Sequence, residues 1–285
     1  MGKLKKKSES FLPPKNLTYR IREIGEIIRA KATYLFFPLF KKNEKNELYR
    51  FLGKHGMRPY PGDYSLKYKE KVFDCFLIGQ TGLRYVMHHS KKLFFPKSYT
   101  DKAVKKSYRN LLIEQDPDSP HRYIEDYSSL KGKTLLDIGA AEGIFTLDVI
   151  DIIEHAFLFE CEQIWIEALN ATFAPWKDKV TIVPLYVANK NTEKEVTLDK
   201  FISSRDLKNL YIKMDIEGAE LTALEGAKET LGREDITLSV CTYHRTFDAE
   251  EINSFLTSQG YKTSFSKGFL YFRKQLNKAV IRAHK

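Results

Sequence analysis

The sequence predicts an α/β protein in which a mostly parallel sheet, covered by helices, follows a basic α+β extension. From about residue 120 onward, short apolar segments alternate with amphipathic segments of helical period, which is typical of a doubly wound sheet. Two of the apolar segments run into an acidic residue and a glycine, as strands do where such sheets bind ligands. The balance of charge also differs between the two parts of the chain. Residues 1–110 hold 26 Lys and Arg against 9 Asp and Glu, whereas residues 111–285 hold 21 Lys and Arg against 28 Asp and Glu.

The predicted sheet contains five buried strands, at 134–138, 156–159, 180–183, 211–214 and 236–241. A helix after the fifth strand is expected to begin with a capping box of Asp248 and Glu251 and to end at Gly260. The chain is then predicted to finish on a hairpin of residues 261–265 and 269–273.

The basic extension is predicted to hold an amphipathic helix and a small β-meander. The helix covers residues 19–35 and places Ile21, Ile24, Ile28 and Leu35 on one face. Three strands are expected at 72–78, 83–88 and 93–95, and another helix at about 101–113. Because the turn-forming residues 116–120 (DPDSP) mark a domain boundary, we assign residues 1–115 to the extension and 116–285 to the second domain.

Composition narrows the class of protein. A hydrophobic content of 42% excludes a disordered chain. The three cysteines lie far apart, so the sequence indicates neither a disulfide framework nor a metal-ligand pair, and we predict no metal. The lack of a disulfide framework fits a reducing, cytoplasmic setting. The apolar segments fit neither a cleaved signal peptide nor a bilayer span.

The first motif that carries chemistry lies at residues 135–143 (LLDIGAAEG). A buried strand ends with Asp137 and Ile138, a loop begins at Gly139, and Gly143 precedes a helix. Small residues in the loop let a ligand approach the backbone near free N–H groups. The glycines stand at loop positions 1 and 5, whereas a dinucleotide fingerprint needs them at 1, 3 and 6. The next strand ends in Glu160, whose carboxylate can accept hydrogen bonds from vicinal ribose hydroxyls.

The second motif lies at residues 211–220 (YIKMDIEGAE) and places Asp215 at the carboxyl edge of the sheet. Glu217 and Glu220 have a second interpretation, since acidic residues also stabilise the first turn of a helix. Lys213 lies inside the predicted strand, where it either pairs with an acid or contacts the active site.

With LFECE at 158–162, TLDKF at 197–201 and a strand that ends in Tyr243 and His244, these motifs resemble the FkbM-type methyltransferases over about residues 120–273. The resemblance implies a class I methyltransferase with a Rossmann-like sheet of seven strands, the last antiparallel. It also implies S-adenosyl-L-methionine as cofactor and O-methylation of sugars or other small hydroxyl-bearing molecules. The sequence departs from the family at Ala141, where many members carry Asn.

Site residues follow from the same resemblance. Glu160 would hold the ribose, and Asp215 would lie beside the methyl group. Five residues of the glycine loop would cradle the methionine and adenosyl portions: Asp137, Gly139, Ala140, Glu142 and Gly143.

Positioning of the reactants can supply much of the acceleration of methyl transfer. A sugar hydroxyl is nevertheless a poor nucleophile, so a base should assist the reaction. His244 is the first candidate base, because it follows the fifth strand at the ligand edge and histidine titrates near neutrality. A histidine that caps a helix or bonds the backbone is the alternative. Glu217 is the second candidate base, and Asp215 completes the predicted catalytic set.

We therefore expect an S-adenosylmethionine-dependent O-methyltransferase that acts on a sugar hydroxyl of a glycan or glycan precursor, in polysaccharide biosynthesis. One alternative is an RNA methyltransferase, which the basic front favours. The segment after the fourth strand opposes it, because it lacks the Pro-Pro-aromatic loop usual in methylation of base amino groups. The other alternative is a cofactor-binding interaction protein without activity.

The basic front also predicts a peripheral contact with an anionic membrane, whereas nucleic acid is not an expected partner. Arg20, Arg22, Arg29 and Lys31 accompany the isoleucine face, after Lys3, Lys5, Lys6 and Lys7. The competing interpretation is that the isoleucine face packs on the catalytic domain. We prefer this packed interpretation of the isoleucine face, because amphipathic helices usually face a core.

Overall fold

The computed structural model describes residues 17–285, which form two compact units. The helical unit comprises the described residues up to Asp63 together with Phe269–Asn277. The sheet unit comprises Tyr64–Gly268 and Lys278–Lys285. Lys3, Lys5, Lys6 and Lys7, which belong to the predicted membrane contact, lie outside the described residues.

The helices of the described chain are α1 (Leu17–Leu35), α2 (Glu44–His55), α3 (Asp101–Glu114), α4 (Ile144–Val149), α5 (Gln163–Phe173), α6 (Leu198–Ser203), α7 (Glu220–Glu225), α8 (Lys228–Leu231) and α9 (Asp248–Ser258). The strands are β1 (Phe76–Leu77), β2 (Arg84–His88), β3 (Lys91–Phe95), β4 (Thr134–Ile138), β5 (His155–Phe159), β6 (Val180–Val183), β7 (Tyr186–Val187), β8 (Glu195–Val196), β9 (Leu210–Met214), β10 (Ile236–Cys241), β11 (Lys262–Phe265), β12 (Leu270–Phe272), β13 (Gln275–Asn277) and β14 (Val280–His284). Across residues 17–285, no helix has the length and apolar character needed to cross a bilayer.

In the helical unit, α1 packs closely against α2. A Cβ at Gly53 would lie 2.1 Å from the carbonyl oxygen of Ala30, so only glycine permits this approach. Ala30 and Leu52 are each 1% exposed, and the Tyr49 hydroxyl donates to Glu26 Oε2 at 2.6 Å. The opposite face of α1, which carries the four predicted apolar residues, is exposed.

The hairpin of β12 and β13 completes the helical unit. Tyr271 and Leu276 pack with the apolar residues of α1 and α2. The Tyr271 N–H donates to the Pro59 carbonyl at 2.8 Å, and Lys274 Nζ lies 2.6 Å from Glu23 Oε1.

The sheet unit is built on seven strands in the order β6–β5–β4–β9–β10–β14–β11. Strands β4, β5, β6, β9 and β10 run parallel, and β14 is antiparallel to both of its neighbours. Buried aliphatic side chains of the central strands, among them Leu136, Ile138, Ile212 and Met214, form the core beneath the helices. The predicted α/β fold with one antiparallel strand is confirmed.

A smaller antiparallel sheet, β1–β2–β3, forms the predicted meander, although its first strand is confined to Phe76–Leu77. This sheet packs on α5, where the Phe94 N–H donates to Thr172 Oγ1 at 3.0 Å. The division between packed units therefore precedes Tyr64, and the turn at residues 116–120 lies within the sheet unit. Asp116 is buried there and accepts a hydrogen bond from the Tyr68 hydroxyl at 2.7 Å, so the turn connects two packed segments.

Two predictions of local structure were wrong. The hairpin predicted from residues 261–265 and 269–273 does not form, because β11 pairs with β14 and β12 pairs with β13. Alternating apolar residues identify a strand but not its partner. Asp248 is also not a helix cap: Phe247 holds that position without a side-chain bond, and Asp248 Oδ2 accepts from the Arg245 N–H at 2.6 Å.

Candidate active site

Three loops meet at the carboxyl edge of the central strands. In the register of the sheet, Ile138 on β4 lies beside Met214 on β9, which in turn lies beside Val240 on β10. The loops that follow these strands therefore emerge side by side, and the loop after β5 adds Glu160. This edge is where doubly wound sheets bind their ligands.

The loop after β4 depends on two glycines. Gly139 has φ +80°, and a Cβ there would lie 1.9 Å from the Asp215 carbonyl oxygen, so the two loops touch through backbone alone. Gly143 has φ +75°, and its Cβ would lie 2.7 Å from the Phe173 ring. Between them, Ala141 also adopts a left-handed conformation, with φ 45°. Asn tolerates this conformation better than Ala does.

Glu160 fixes the shape of that loop from the neighbouring strand. Its carboxylate is buried and accepts two backbone hydrogen bonds, from the Ala141 N–H at 2.9 Å and from the Glu162 N–H at 2.7 Å. Burial raises the pKa of Glu160, and these N–H donors oppose the rise. Each oxygen keeps a further lone pair with which to accept a ribose hydroxyl.

Asp137 lies deeper than the sequence indicated. It is 1% exposed, and its Oδ1 lies 2.9 Å from Lys213 Nζ, its cross-strand neighbour on β9. Its Oδ2 accepts a hydrogen bond from Thr146 Oγ1 at 2.7 Å. Lys213 also donates to the Gly139 carbonyl at 2.6 Å, so the buried ion pair holds the glycine loop from beneath. The paired interpretation of Lys213 is confirmed.

Glu142 lies in the same loop and accepts a hydrogen bond from Ser107 Oγ at 3.0 Å. Burial raises the pKa of Glu142 to about 7, against the opposing effect of its hydrogen bonds. Its charge therefore changes near neutral pH.

An acid–imidazole cluster surrounds Asp215 at the start of the loop after β9. Asp215 Oδ2 accepts a hydrogen bond from the Tyr123 hydroxyl at 2.8 Å and lies 3.6 Å from His121 Nε2. Asp215 Oδ1 lies 3.4 Å from His244 Nε2. Burial disfavours the charged carboxylate, but electrostatic interactions with His121, His244 and Lys213 lower the pKa of Asp215 to about 2.

His244 is held by a second acid on its other side. Its Nδ1 lies 2.8 Å from Glu220 Oε1, and both side chains are 1% exposed. Burial opposes protonation of the ring, but the bond to Glu220 and the charges of Asp215, Glu220 and Glu217 raise the pKa of His244 to about 9. The ring is therefore mostly an imidazolium at neutral pH. Glu217 lies nearer to solvent, with its side chain 67% exposed and its Oε2 3.7 Å from His244 Nε2.

The structure thus brings together Asp215, Glu217 and His244, the three predicted catalytic residues, beside the glycine loop. Sequence reasoning missed His121 and Tyr123. His121 is buried, with Nε2 2.9 Å from the Tyr243 hydroxyl and Nδ1 3.3 Å from Glu114 Oε1. The segment 119–123 (SPHRY) before β4 was the available signal.

The residues of this edge fit S-adenosylmethionine. The cofactor carries a sulfonium, an ammonium group and a ribose diol, all of which favour carboxylate partners. Glu142 lies in the glycine loop, the Glu160 carboxylate accepts from its backbone at Ala141, and Asp215 contacts Gly139 through its backbone carbonyl. Gly139 and Gly143 allow this loop to pack closely against the loop after β9 and against α5.

Among the described residues, three groups of side chains have the spacing of metal ligands: His88, His89 and Asp148; His121, Asp215 and Cys241; and Asp215, Glu220 and His244. Close contacts between the side chains themselves account for this spacing. His88 Nε2, for example, lies 2.6 Å from Asp148 Oδ1. We assign a metal to none of the three groups.

The sheet order, the glycine loop after β4 and the acids that end β4, β5 and β9 define a class I S-adenosylmethionine-dependent methyltransferase domain. A family profile described as Methyltransferase FkbM domain matches residues 94–263, which is more than half of the chain. The chain belongs to this family, and S-adenosyl-L-methionine is its cofactor. No curated protein matches the sequence significantly.

Solved structures similar to this chain include a methyltransferase FkbM from Methylobacillus flagellatus KT, at 20% identity and a TM-score of 0.44 over 65% of this chain and 56% of that chain. Magnesium protoporphyrin IX methyltransferase from Synechocystis, solved with bound cofactor, is 12% identical, with a TM-score of 0.37 over 55% and 72% of the two chains. TrmK from M. capricolum, solved with S-adenosyl-homocysteine, is 12% identical, with a TM-score of 0.35 over 55% and 63%. The present chain spans little more than half the length of the FkbM structure.

Proposed function

We propose that the chain is an O-methyltransferase that transfers a methyl group from S-adenosyl-L-methionine to a sugar hydroxyl of a glycan or glycan precursor. The observation that carries the proposal is the acid–imidazole cluster: Asp215, beside the glycine loop, has Tyr123, His121 and His244 around its carboxylate. O-methylation requires a group that accepts the hydroxyl proton, and this cluster supplies one.

The glycine loop and the carboxylates around it would hold the cofactor. Glu160 would accept hydrogen bonds from the ribose hydroxyls, and Glu142, once ionised, would face the ammonium group. When bound, the cofactor supplies a methyl group on a positively charged sulfur. Asp137 contributes indirectly in this proposal, because it fixes Lys213 under Gly139.

His244 is the proposed base. Glu220 holds its Nδ1 as a hydrogen-bond donor, so Nε2 is the atom that would take the proton of the acceptor hydroxyl. Asp215, which is ionised at any working pH, then stabilises the imidazolium that forms. Glu217, at the exposed side of the ring, is the second candidate base.

The raised pKa of His244 gives this mechanism a pH signature. With a pKa of about 9, on the order of one site in a hundred holds a neutral imidazole at pH 7. Turnover should therefore rise with pH and level off near pH 9. A turnover that is flat or falls over this range would make His244 an electrostatic partner of Asp215 and move the base to Glu217.

The experiment that tests the function uses a labelled methyl donor. Titration calorimetry establishes cofactor binding, and transfer is then measured to polysaccharide, lipid-linked glycan and RNA pools. We expect label in a glycan pool, recovered after acid hydrolysis as a methylated monosaccharide, and no transfer by an Asp215→Asn control. Label in RNA would favour the RNA methyltransferase alternative. Cofactor binding without transfer to any pool would favour the non-catalytic alternative.

We also propose that the protein works in the cytoplasm. Cys75, Cys161 and Cys241 are all free thiols, which suits a reducing compartment. Nucleotide-linked and lipid-linked sugar precursors would meet the enzyme there.

A further inference from the structure

Helix α1 presents two different faces along its length. One face packs in the helical unit, where Ala30 and Thr33 are 1% and 0% exposed. Positions 21, 24, 28 and 35 follow the three-, four- and seven-residue spacing of a second face, on the other side of the helix.

The second face is apolar and open. Ile21, Ile24 and Ile28 are 60%, 57% and 62% exposed, and Leu35 is 65% exposed. Gly25 lies among them, and a Cβ built there would find no atom within 4 Å. Single exposed aliphatic residues are ordinary, but a row of four along one helix indicates a surface that another body covers.

The apolar row continues beyond the end of the helix. Phe36 and Leu39 are 55% and 84% exposed, and the exposed Lys41 and Lys42 follow directly. A short apolar turn therefore extends the row, and the two lysines follow this turn in the sequence.

Positive charge is concentrated in and before this helix in the sequence. Residues 1–35 contain nine Lys and Arg against three Glu. On α1 the exposed Arg20, Arg22 and Arg29 lie outside the apolar row, and Arg29 also stacks over the Tyr49 ring at 4.0 Å. Aliphatic residues bordered by cations match the boundary between lipid headgroups and acyl chains.

We propose that this surface, formed by Ile21, Ile24, Ile28, Leu35, Phe36 and Leu39 with the flanking basic residues, docks on an anionic lipid bilayer. The helix has 19 residues and is about 28 Å long, so it would lie parallel to the membrane with its apolar row about 5–10 Å below the headgroups. RNA fits the surface less well, because single strands are bound by stacking on aromatic side chains and this row is mainly aliphatic. The proposal is independent of the acceptor that the sheet unit methylates.

The test is sedimentation of the full-length chain with vesicles of phosphatidylcholine and phosphatidylglycerol, compared with vesicles of phosphatidylcholine alone. The wild-type protein should pellet with the anionic vesicles at low salt and release at high salt, because the electrostatic attraction is screened. The variant Ile24→Ser/Ile28→Ser should partition at least about tenfold more weakly, or about 1.4 kcal/mol. Ile164→Ser, an isoleucine 54% exposed on α5, is the matched control and should pellet like the wild type.

Thermal melting first establishes that both variants fold, as expected for substitutions of exposed side chains. The proposal is overturned if the wild type stays in the supernatant at low salt, or if the double serine variant pellets as well as the control. Sedimentation velocity without lipid tests whether a second copy of the chain occupies this surface instead. A wild-type oligomer that the double serine variant dissociates would assign the row to a second copy of the chain and overturn membrane docking.

Discussion

Replacing Asp137 with asparagine would remove the partner of a buried lysine while leaving the size of the side chain almost unchanged. Asp137 is 1% exposed and Lys213 is 3% exposed, so water cannot replace the lost carboxylate. Burial alone would lower the pKa of Lys213, but the charges of Asp137 and Asp215 outweigh it and raise the pKa, so the ammonium stays charged. The variant would leave that charge between two central strands without its ionic partner, beside the Gly139 carbonyl, the Tyr123 ring and the charge of Asp215.

Breaking a buried ion pair on one side costs about 3–5 kcal/mol, since the remaining charge is desolvated without compensation. We expect the free energy of unfolding of Asp137→Asn to fall by about this amount. In the double variant Asp137→Asn/Lys213→Met, most of the loss should be recovered, because neither position then carries a charge. Thr146→Val is the matched control: it removes the other hydrogen bond of Asp137 and should cost only about 1–2 kcal/mol.

Urea unfolding at neutral pH, followed by far-UV circular dichroism, measures all four proteins. A loss below about 1 kcal/mol for Asp137→Asn would refute the reasoning, as would a double variant less stable than the single one. Cofactor titration of the same variants then asks whether the ion pair supports the glycine loop. If it does, affinity falls in Asp137→Asn even under conditions where that variant remains folded.

Three further predictions concern the active site. Because the pKa of His244 is raised from 6.5 to about 9, its contribution to stability is complete below pH 6.5 and is lost as pH rises through 9. The free energy of unfolding of the wild type, measured in urea, should therefore fall by up to about 3 kcal/mol as pH rises from 6.5 through 9. His244→Gln should not show this fall. Glu160→Gln should bind S-adenosylmethionine about ten- to a hundredfold more weakly by calorimetry, because it loses a charge-assisted bond to ribose; unchanged affinity would remove Glu160 from the site. Ala141→Gly should raise the unfolding free energy by up to about 1 kcal/mol, since it relieves a left-handed alanine, whereas Ala140→Gly should lower it.

The strands and the loops at their ends could be predicted from the sequence, because each is encoded locally. A buried strand that runs into an acid and a glycine is visible in about ten residues, as at Asp137 and Asp215. Parallel strands then bring these ends to one edge without further information. That is why Asp215, Glu217 and His244 could be assigned to one site before their distances were known.

The charge state and depth of the site residues could not be predicted, because they depend on register and on distant segments. Asp137 faces Lys213 only because β4 and β9 pair in the observed register. Tyr123, which donates a hydrogen bond to Asp215, lies 92 positions earlier in the sequence, and His121 belongs to the same distant segment. The surroundings of the turn at residues 116–120 also depend on a distant segment, because Asp116 accepts a hydrogen bond from the hydroxyl of Tyr68.

The hairpin of β12 and β13 affects the order in which the two units can fold during synthesis. Its residues complete the packing around α1 and α2, yet Lys274 and its partner Glu23 are 251 positions apart. Translation therefore delivers α1 and α2 long before the strands that finish their core, so the helical unit cannot be completed until residues 269–277 have left the ribosome. During that interval the isoleucine row and the unfinished core are exposed together on the nascent chain. A chaperone or a membrane surface that covers this region would act on it before the sheet unit is complete.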